Sequence, residues 1–187
     1  MTVGYARLVR ANPSIAEIAE LTRVDELSAA LLAHLTTTAA DIDQVHIHRA
    51  QSSAVQAIVA KLLVDRLGFS QEVVLTPELG FVTSARPDFY YRLAAGRGIL
   101  GEVERGGTTT NNHDLKDLWK THIAPDAQHR FLVVPMANWD VAGTSREKPF
   151  ARVARRLSAF FGDPRREVDV LSLHVFGYGQ EVLPISH

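Results

Sequence analysis

Three short segments with strand character stand between two stretches of helical periodicity, and this succession constrains the fold more than any other feature of the chain. The segments are Glu72 to Thr76, Pro87 to Leu93 and Gly98 to Glu104, separated by Pro77-Glu-Leu-Gly80 and Ala94-Ala-Gly-Arg-Gly98. Connections this short favour antiparallel neighbours. Before them, Val55, Ile58, Val59, Leu62, Leu63 and Leu67 fall on one face of a helix expected over Ala50 to Leu67. Ser52 or Ser53 can cap that helix and Gly68 stops it. After the strands, Thr108-Thr-Thr-Asn-Asn112 supplies caps for a further helix whose repeating face is Leu115, Leu118, Trp119, His122 and Ile123. Arg130 to Pro135 then has the character of a short buried strand. Strands joined through a helix permit a parallel pair, so the expected class is α/β, a central mixed β-sheet flanked by helices.

The order helix, three strands, helix, strand occupies residues 50–135. Residues 1–49 are expected to be an N-terminal helical extension, with two short helices between Ser14 and Leu35. Residues 136–187 are expected to add a helix from Pro149 to Phe161 and a strand from Val168 to Val175. With 187 residues the chain can bury one sizeable core, and a single domain is expected.

Composition removes several classes of function. There are no cysteines, so disulfides, thiolate nucleophiles and cysteine-ligated zinc are all absent. No apolar run approaches the roughly 20 residues of a membrane-spanning helix, and the first residues lack a secretory signal; a cytoplasmic location is expected. A net charge of -1 neither advertises nor excludes a polyanionic partner. The charges are unevenly spread, however. From Arg146 to Arg166, seven basic residues face only Glu147 and Asp163, and Arg152, Arg155 and Arg156 are the candidates for gripping a nucleic-acid backbone.

The chemistry-bearing residues lie in the strand region. Glu102 and Glu104 alternate with Val103, so both carboxylates share one face while Val103 points the other way. Asp88 can approach that face if the preceding strand pairs antiparallel, although the turn leaves the register open. Like charges held this close repel, which raises pKa values unless a cation sits among them. Mg²⁺ is suited to such an oxygen donor set and leaves positions for water and phosphate.

Pro87-Asp88 followed by Glu102-Val103-Glu104, within this order of elements, resembles the PD-(D/E)XK nuclease superfamily. The resemblance covers residues 50–135 and implies a restriction-endonuclease-like fold. It further implies a Mg²⁺-dependent endonuclease acting on DNA, in restriction or related defence, with Mn²⁺ able to substitute. Asp88 and Glu102 would hold the metal. Glu104 stands where the family usually has lysine, a Glu-x-Glu variant in which the last glutamate would help to orient water. Lys116 and Lys120, four residues apart on one helix face, could meet phosphate and supply the missing positive charge. Cutting both strands would be served by a homodimer. A nuclease-like subunit that binds DNA or assembles without turnover is the alternative.

Other patterns carry less. Gly96-Arg-Gly-Ile-Leu-Gly101 matches the dinucleotide-binding spacing but lies where a strand begins rather than where one ends. His46 and His48 would share one side of an extended segment, which permits a metal site, or would simply be polar residues near the substrate groove.

Overall fold

The computed structural model describes residues 3–47, 51–72, 86–140, 142, 144–163 and 168–181. The elements are β1 (Gly4–Val9), α1 (Ile15–Thr37), α2 (Ala39–Val45), α3 (Ser52–Leu63), β2 (Ser70–Gln71), β3 (Phe89–Ala94) and β4 (Arg97–Val103). They continue as α4 (His113–Ile123), β5 (His129–Pro135), β6 (Asn138–Trp139), β7 (Ser145–Glu147), α5 (Pro149–Ser158) and β8 (Ser172–Tyr178). Six strands form one sheet in the order β1-β8-β5-β4-β3-β2, and β6 and β7 form a separate hairpin. The β2–β3 and β3–β4 pairs are antiparallel, as short connections require. β4 and β5, joined through α4, are parallel, and so are β5 and β8. The sheet is therefore mixed, as expected.

Alternation along β4, β5 and β8 divides the core into two layers. Ile99, Val103, Phe131, Val133 and Phe176 face α1 and α3. Leu132, Val134, Leu173 and Val175 face the other way, against Leu118 of α4 and Val153 and Leu157 of α5. β5 and β8 are buried along their whole length, which explains their near-continuous apolar sequences.

The structure corrects several expectations. The two short helices expected between Ser14 and Leu35 are one helix of 23 residues. No glycine or proline interrupts it; Thr22 bonds back to the Ile18 carbonyl, and Leu21, Val24, Leu27, Leu31 and Leu35 make one buried stripe. A capping box at Ser14 and Glu17 starts it. The amino-terminal segment is also not purely helical, because β1 pairs with β8 at the edge of the central sheet. α3 begins after Gln51, and neither Ser52 nor Ser53 acts as its cap. The strand expected from Glu72 is displaced: β2 ends at Gln71, Glu72 has a left-handed backbone, and residues 73–76 lie outside the described residues. Gly96, inside the dinucleotide-like pattern, is the φ +65° residue of the tight β3–β4 turn. No phosphate-binding strand-to-helix turn exists there.

A chain of polar groups crosses the sheet beneath α1. Glu20 Oε1 lies 2.6 Å from His129 Nε2, His129 Nδ1 lies 2.7 Å from Ser172 Oγ, and His174 Nε2 lies 3.1 Å from the same hydroxyl. His174 Nδ1 then meets the Tyr5 hydroxyl at 2.9 Å. Burial pushes the His174 imidazole down to about 3, against the opposing pull of Asp25, so it stays neutral in the folded protein. In the unfolded chain it gains a proton below about pH 6.5, so its contribution is present above that pH and is lost as pH falls toward 3. The stability advantage of the protein over His174→Gln should therefore shrink by about 3 kcal/mol between pH 7 and pH 4. Denaturant titration at the two pH values measures it, and an unchanged difference would show that His174 is not held neutral.

Candidate active site

Asp88 precedes β3 by one residue, and β3 pairs with β4 so that Phe89 stands opposite Gly101. Extending that register by one step sets Asp88 opposite Glu102, which settles what the turn length alone left open. Gly101 permits the close approach, since a Cβ there would lie 3.1 Å from Cβ of Phe89. The two acids are tied reciprocally through the backbone. Val103 N–H donates to Asp88 Oδ2 at 2.8 Å, and Asp88 N–H donates to Glu102 Oε2 at 3.3 Å.

Burial and the adjacent Glu102 carboxylate push the Asp88 carboxyl up to about 7, despite the opposing Val103 N–H. Near neutrality the pair thus holds a proton that an ordinary aspartate would have lost. Glu104 follows β4 and its backbone is fixed from both sides: its N–H donates to the Val133 carbonyl at 2.9 Å, and the Tyr178 hydroxyl donates to its carbonyl at 2.9 Å. Its carboxylate meets His113 Nδ1 at 2.9 Å. Burial raises the Glu104 carboxyl, and His113 partly offsets this.

The positive side of the site comes from α4 and β5. Lys120 Nζ lies 3.2 Å from Glu102 Oε1 and 3.0 Å from Asp117 Oδ1. Burial disfavours its charge, but Asp117 and Glu102 outweigh that and raise the Lys120 ammonium above its ordinary value. Arg130, fully buried, brings Nη2 to 2.9 Å from Asp117 Oδ1 and 3.4 Å from Glu102 Oε1. Those approaches lack hydrogen-bond alignment, so charge rather than directed bonding holds them.

Lys120 is thus brought to the acid pair, whereas Lys116 is exposed on the outer side of the same helix. The expected apolar face of α4 is corrected. Its buried residues are Asp114, Asp117, Leu118 and Thr121, while Trp119 is 60% exposed. The reason is electrostatic: Arg130 below and Arg156 beside the helix make buried carboxylates tolerable where an apolar stripe was expected. Asp117 and Arg130 were missed by sequence reasoning. The spacing Asp114-x-x-Asp117-x-x-Lys120 on one helix was the available signal for the first. For Arg130, within an apolar run, there was none.

The three candidate arginines on α5 have different settings. Arg156 is engaged inside the protein, with Asn112 Oδ1 at 2.7 Å, the Thr109 carbonyl at 3.0 Å and Asp114 Oδ2 at 3.4 Å. Arg152 and Arg155 are exposed and, with Lys148 and Ala151, line an open depression of about 410 Å³. His46 is buried, its Nε2 2.9 Å from the Ala137 carbonyl and its ring edge-on to Tyr178, and burial lowers its pKa. It is a packing residue in this structure. His48 lies outside the described residues.

Among the described residues no group of three or more histidine or acidic side chains is arranged as a ready metal cage. A pair of carboxylates suffices for Mg²⁺, which keeps several waters and is commonly held by one or two carboxylates plus substrate phosphate. The all-oxygen donors of Asp88 and Glu102, and the proton that burial and their mutual repulsion retain, fit such an ion.

The helix–three strands–helix–strand core with its mixed sheet defines a restriction-endonuclease-like fold. Among solved structures, the chain is similar to the restriction endonuclease BGLII complexed with a DNA 16-mer. The TM-score is 0.52 at 11% sequence identity, over 95% of this chain and 78% of that one. No protein-family model and no curated protein sequence matches the chain. No helix among the described residues is long and apolar enough to cross a membrane.

Proposed function

We propose that the protein is a Mg²⁺-dependent endonuclease that hydrolyses DNA phosphodiester bonds, in restriction or related defence, with Mn²⁺ able to substitute. The observation that carries this reading is the juxtaposition of Asp88 and Glu102 across β3 and β4, with the Asp88 carboxyl pushed up to about 7. The likeness to a restriction endonuclease in complex with DNA supports it at the level of fold.

Asp88 and Glu102 would hold the ion, and when bound the ion supplies electrophilic polarisation of the phosphate and a more acidic water. The remaining steps belong to the chain's own residues. Lys120, with Nζ 3.2 Å from Glu102, offers its charge to a phosphate oxygen at the same place. It thereby fills the need left by a glutamate at position 104. Glu104, oriented by His113, takes a proton from the attacking water. Arg152 and Arg155, lining the open depression on α5, grip the DNA backbone, as would Lys116 on α4. Arg156 contributes by fixing the Thr109–Asp114 segment to α5 rather than by direct contact. Two copies related by two-fold symmetry would place one site on each strand.

The test is cleavage of plasmid and linear DNA with Mg²⁺, Mn²⁺ or chelator. Nicking or cutting that needs the metal is expected, with a loss of about a hundredfold to a thousandfold in Asp88→Ala and Glu102→Ala, the size of effect seen when one preorganised hydrogen-bond donor is removed from an active site. Folded protein that binds DNA but takes up no metal and cuts nothing would instead identify an inactive DNA-binding or assembly subunit.

A further inference from the structure

The outward face of α4 contains a feature that phosphate hydrolysis alone does not use. Trp119 is 60% exposed, an unusual position for the largest side chain on a helix whose opposite face is buried. It is nonetheless not a loose side chain. Its ring packs at a tilt against His122, centroids 5.7 Å apart, and the Asp169 N–H donates to His122 Nδ1 at 3.0 Å. One edge of the indole is thus braced from β8's approach segment while much of its surface stays open to solvent.

The residues around it carry positive charge. Lys116 lies three positions before Trp119, and Lys120 directly after it, so helical spacing sets Lys116, Trp119, Lys120 and Ile123 along one side of α4. Lys120 stands at the border of that side, with its ammonium 3.2 Å from Glu102. The Lys120 charge is met by Asp117 at 3.0 Å and Glu102 at 3.2 Å, whereas Asp114 is buried against Arg156 and Lys116 makes no ion pair among the described residues.

From this geometry we infer that Trp119 is a stacking platform for an unpaired base, flanked by Lys116 and Lys120 as phosphate contacts, and that the site accepts single-stranded or locally opened DNA. The inference rests on the proposed nuclease reading for its substrate class and extends it from duplex backbone to an unstacked nucleotide. An exposed aromatic ring bordered by lysines combines what such strands require: a π-face that any base can cover, and cations that follow the backbone. A base paired inside a duplex cannot cover the ring without leaving its stack, which costs free energy that an unpaired base does not pay.

The sequence has two tryptophans, so Trp139→Phe leaves Trp119 as the sole indole reporter. In that background, with chelator present, a short oligothymidine should quench the fluorescence, and a blunt duplex of equal length should quench it far less. Trp119→Leu should weaken oligothymidine binding about tenfold, while Trp119→Phe retains most of the affinity. Circular dichroism confirms that each variant is folded. Absence of quenching by oligothymidine, or equal affinity of the Leu and Phe variants, overturns the inference. So does sedimentation showing that Trp119→Leu breaks up a self-associated form, since the ring would then be a contact between protein chains. Quenching in a protein that cleaves nothing with any metal leaves the platform standing and removes only the hydrolytic reading.

Discussion

Asp88→Asn is expected to be inert as a nuclease and yet more stable than the unaltered protein when no divalent metal is present. The two effects share a cause. Buried beside Glu102, the Asp88 carboxyl ionises only at about 7 in the folded protein, against roughly 4 in an unfolded chain. The folded state therefore penalises the charged form. The penalty is absent below about pH 4, grows as pH rises between the two values, and is complete above about pH 7. An asparagine cannot ionise, and its side-chain oxygen can still accept the Val103 N–H. Because the carboxyl keeps some contact with solvent, the gain is discounted to about 1–2 kcal/mol at pH 8, falling to nothing near pH 4.

Urea midpoints in chelator at the two pH values measure this effect. Adding Mg²⁺ at pH 8 should then stabilise the unaltered protein and not Asp88→Asn, because a ligand that binds only the folded state shifts its midpoint. A stability difference that is the same at both pH values would show that the carboxyl is not perturbed by its neighbours. The outcome is independent of any cleavage assay.

Arg130→Met should be among the most damaging single substitutions in the protein, with a loss of about 3–5 kcal/mol. The guanidinium is fully buried and lies against Asp117 and Glu102, themselves almost fully buried. Removing it leaves two buried carboxylates with Lys120 as their remaining close cation. Against a total stability of about 5–15 kcal/mol, that loss is large enough to populate unfolded protein at moderate temperature. Replacing Asp117 by leucine in the same chain should recover a substantial part of it, since one stranded charge is then gone. The double-mutant cycle on Arg130 and Asp117 reads the coupling, and a loss below about 1 kcal/mol in Arg130→Met would mean that the network is incidental to folding.

The periodicities that predict α3, α4, α5 and the β3–β4 region are local, and they were legible for that reason. Each depends on which residues recur at spacing 3.6 or 2 within one segment. β1 was not legible: Gly4–Val9 becomes a strand because β8, at the far end of the chain, offers it an edge, with Gly4 opposite Gly177 and Val9 opposite Ser172. α1 was misread as two helices because its apolar residues do not all share a face: Ile15 and Ile18 are exposed, whereas Leu21, Val24, Leu27, Leu31 and Leu35 are buried.

The candidate site divides along the same line. Alternation along an extended segment predicts that Glu102 and Glu104, one residue beyond β4, share a face, and this needs no tertiary information. That Asp88 faces Glu102 depends on the β3–β4 register, and that Lys120 reaches Glu102 while Lys116 does not depends on how α4 rolls over the sheet. That roll is decided by Asp117 meeting Arg130, two residues of opposite charge 13 positions apart in the chain. The sequence by itself determined the order of elements and the shared face of two glutamates, because both follow from backbone repeat geometry. Only the tertiary structure decided which acids became neighbours and which lysine joined them, because pairing register and buried charge compensation are settled between segments and leave no local trace.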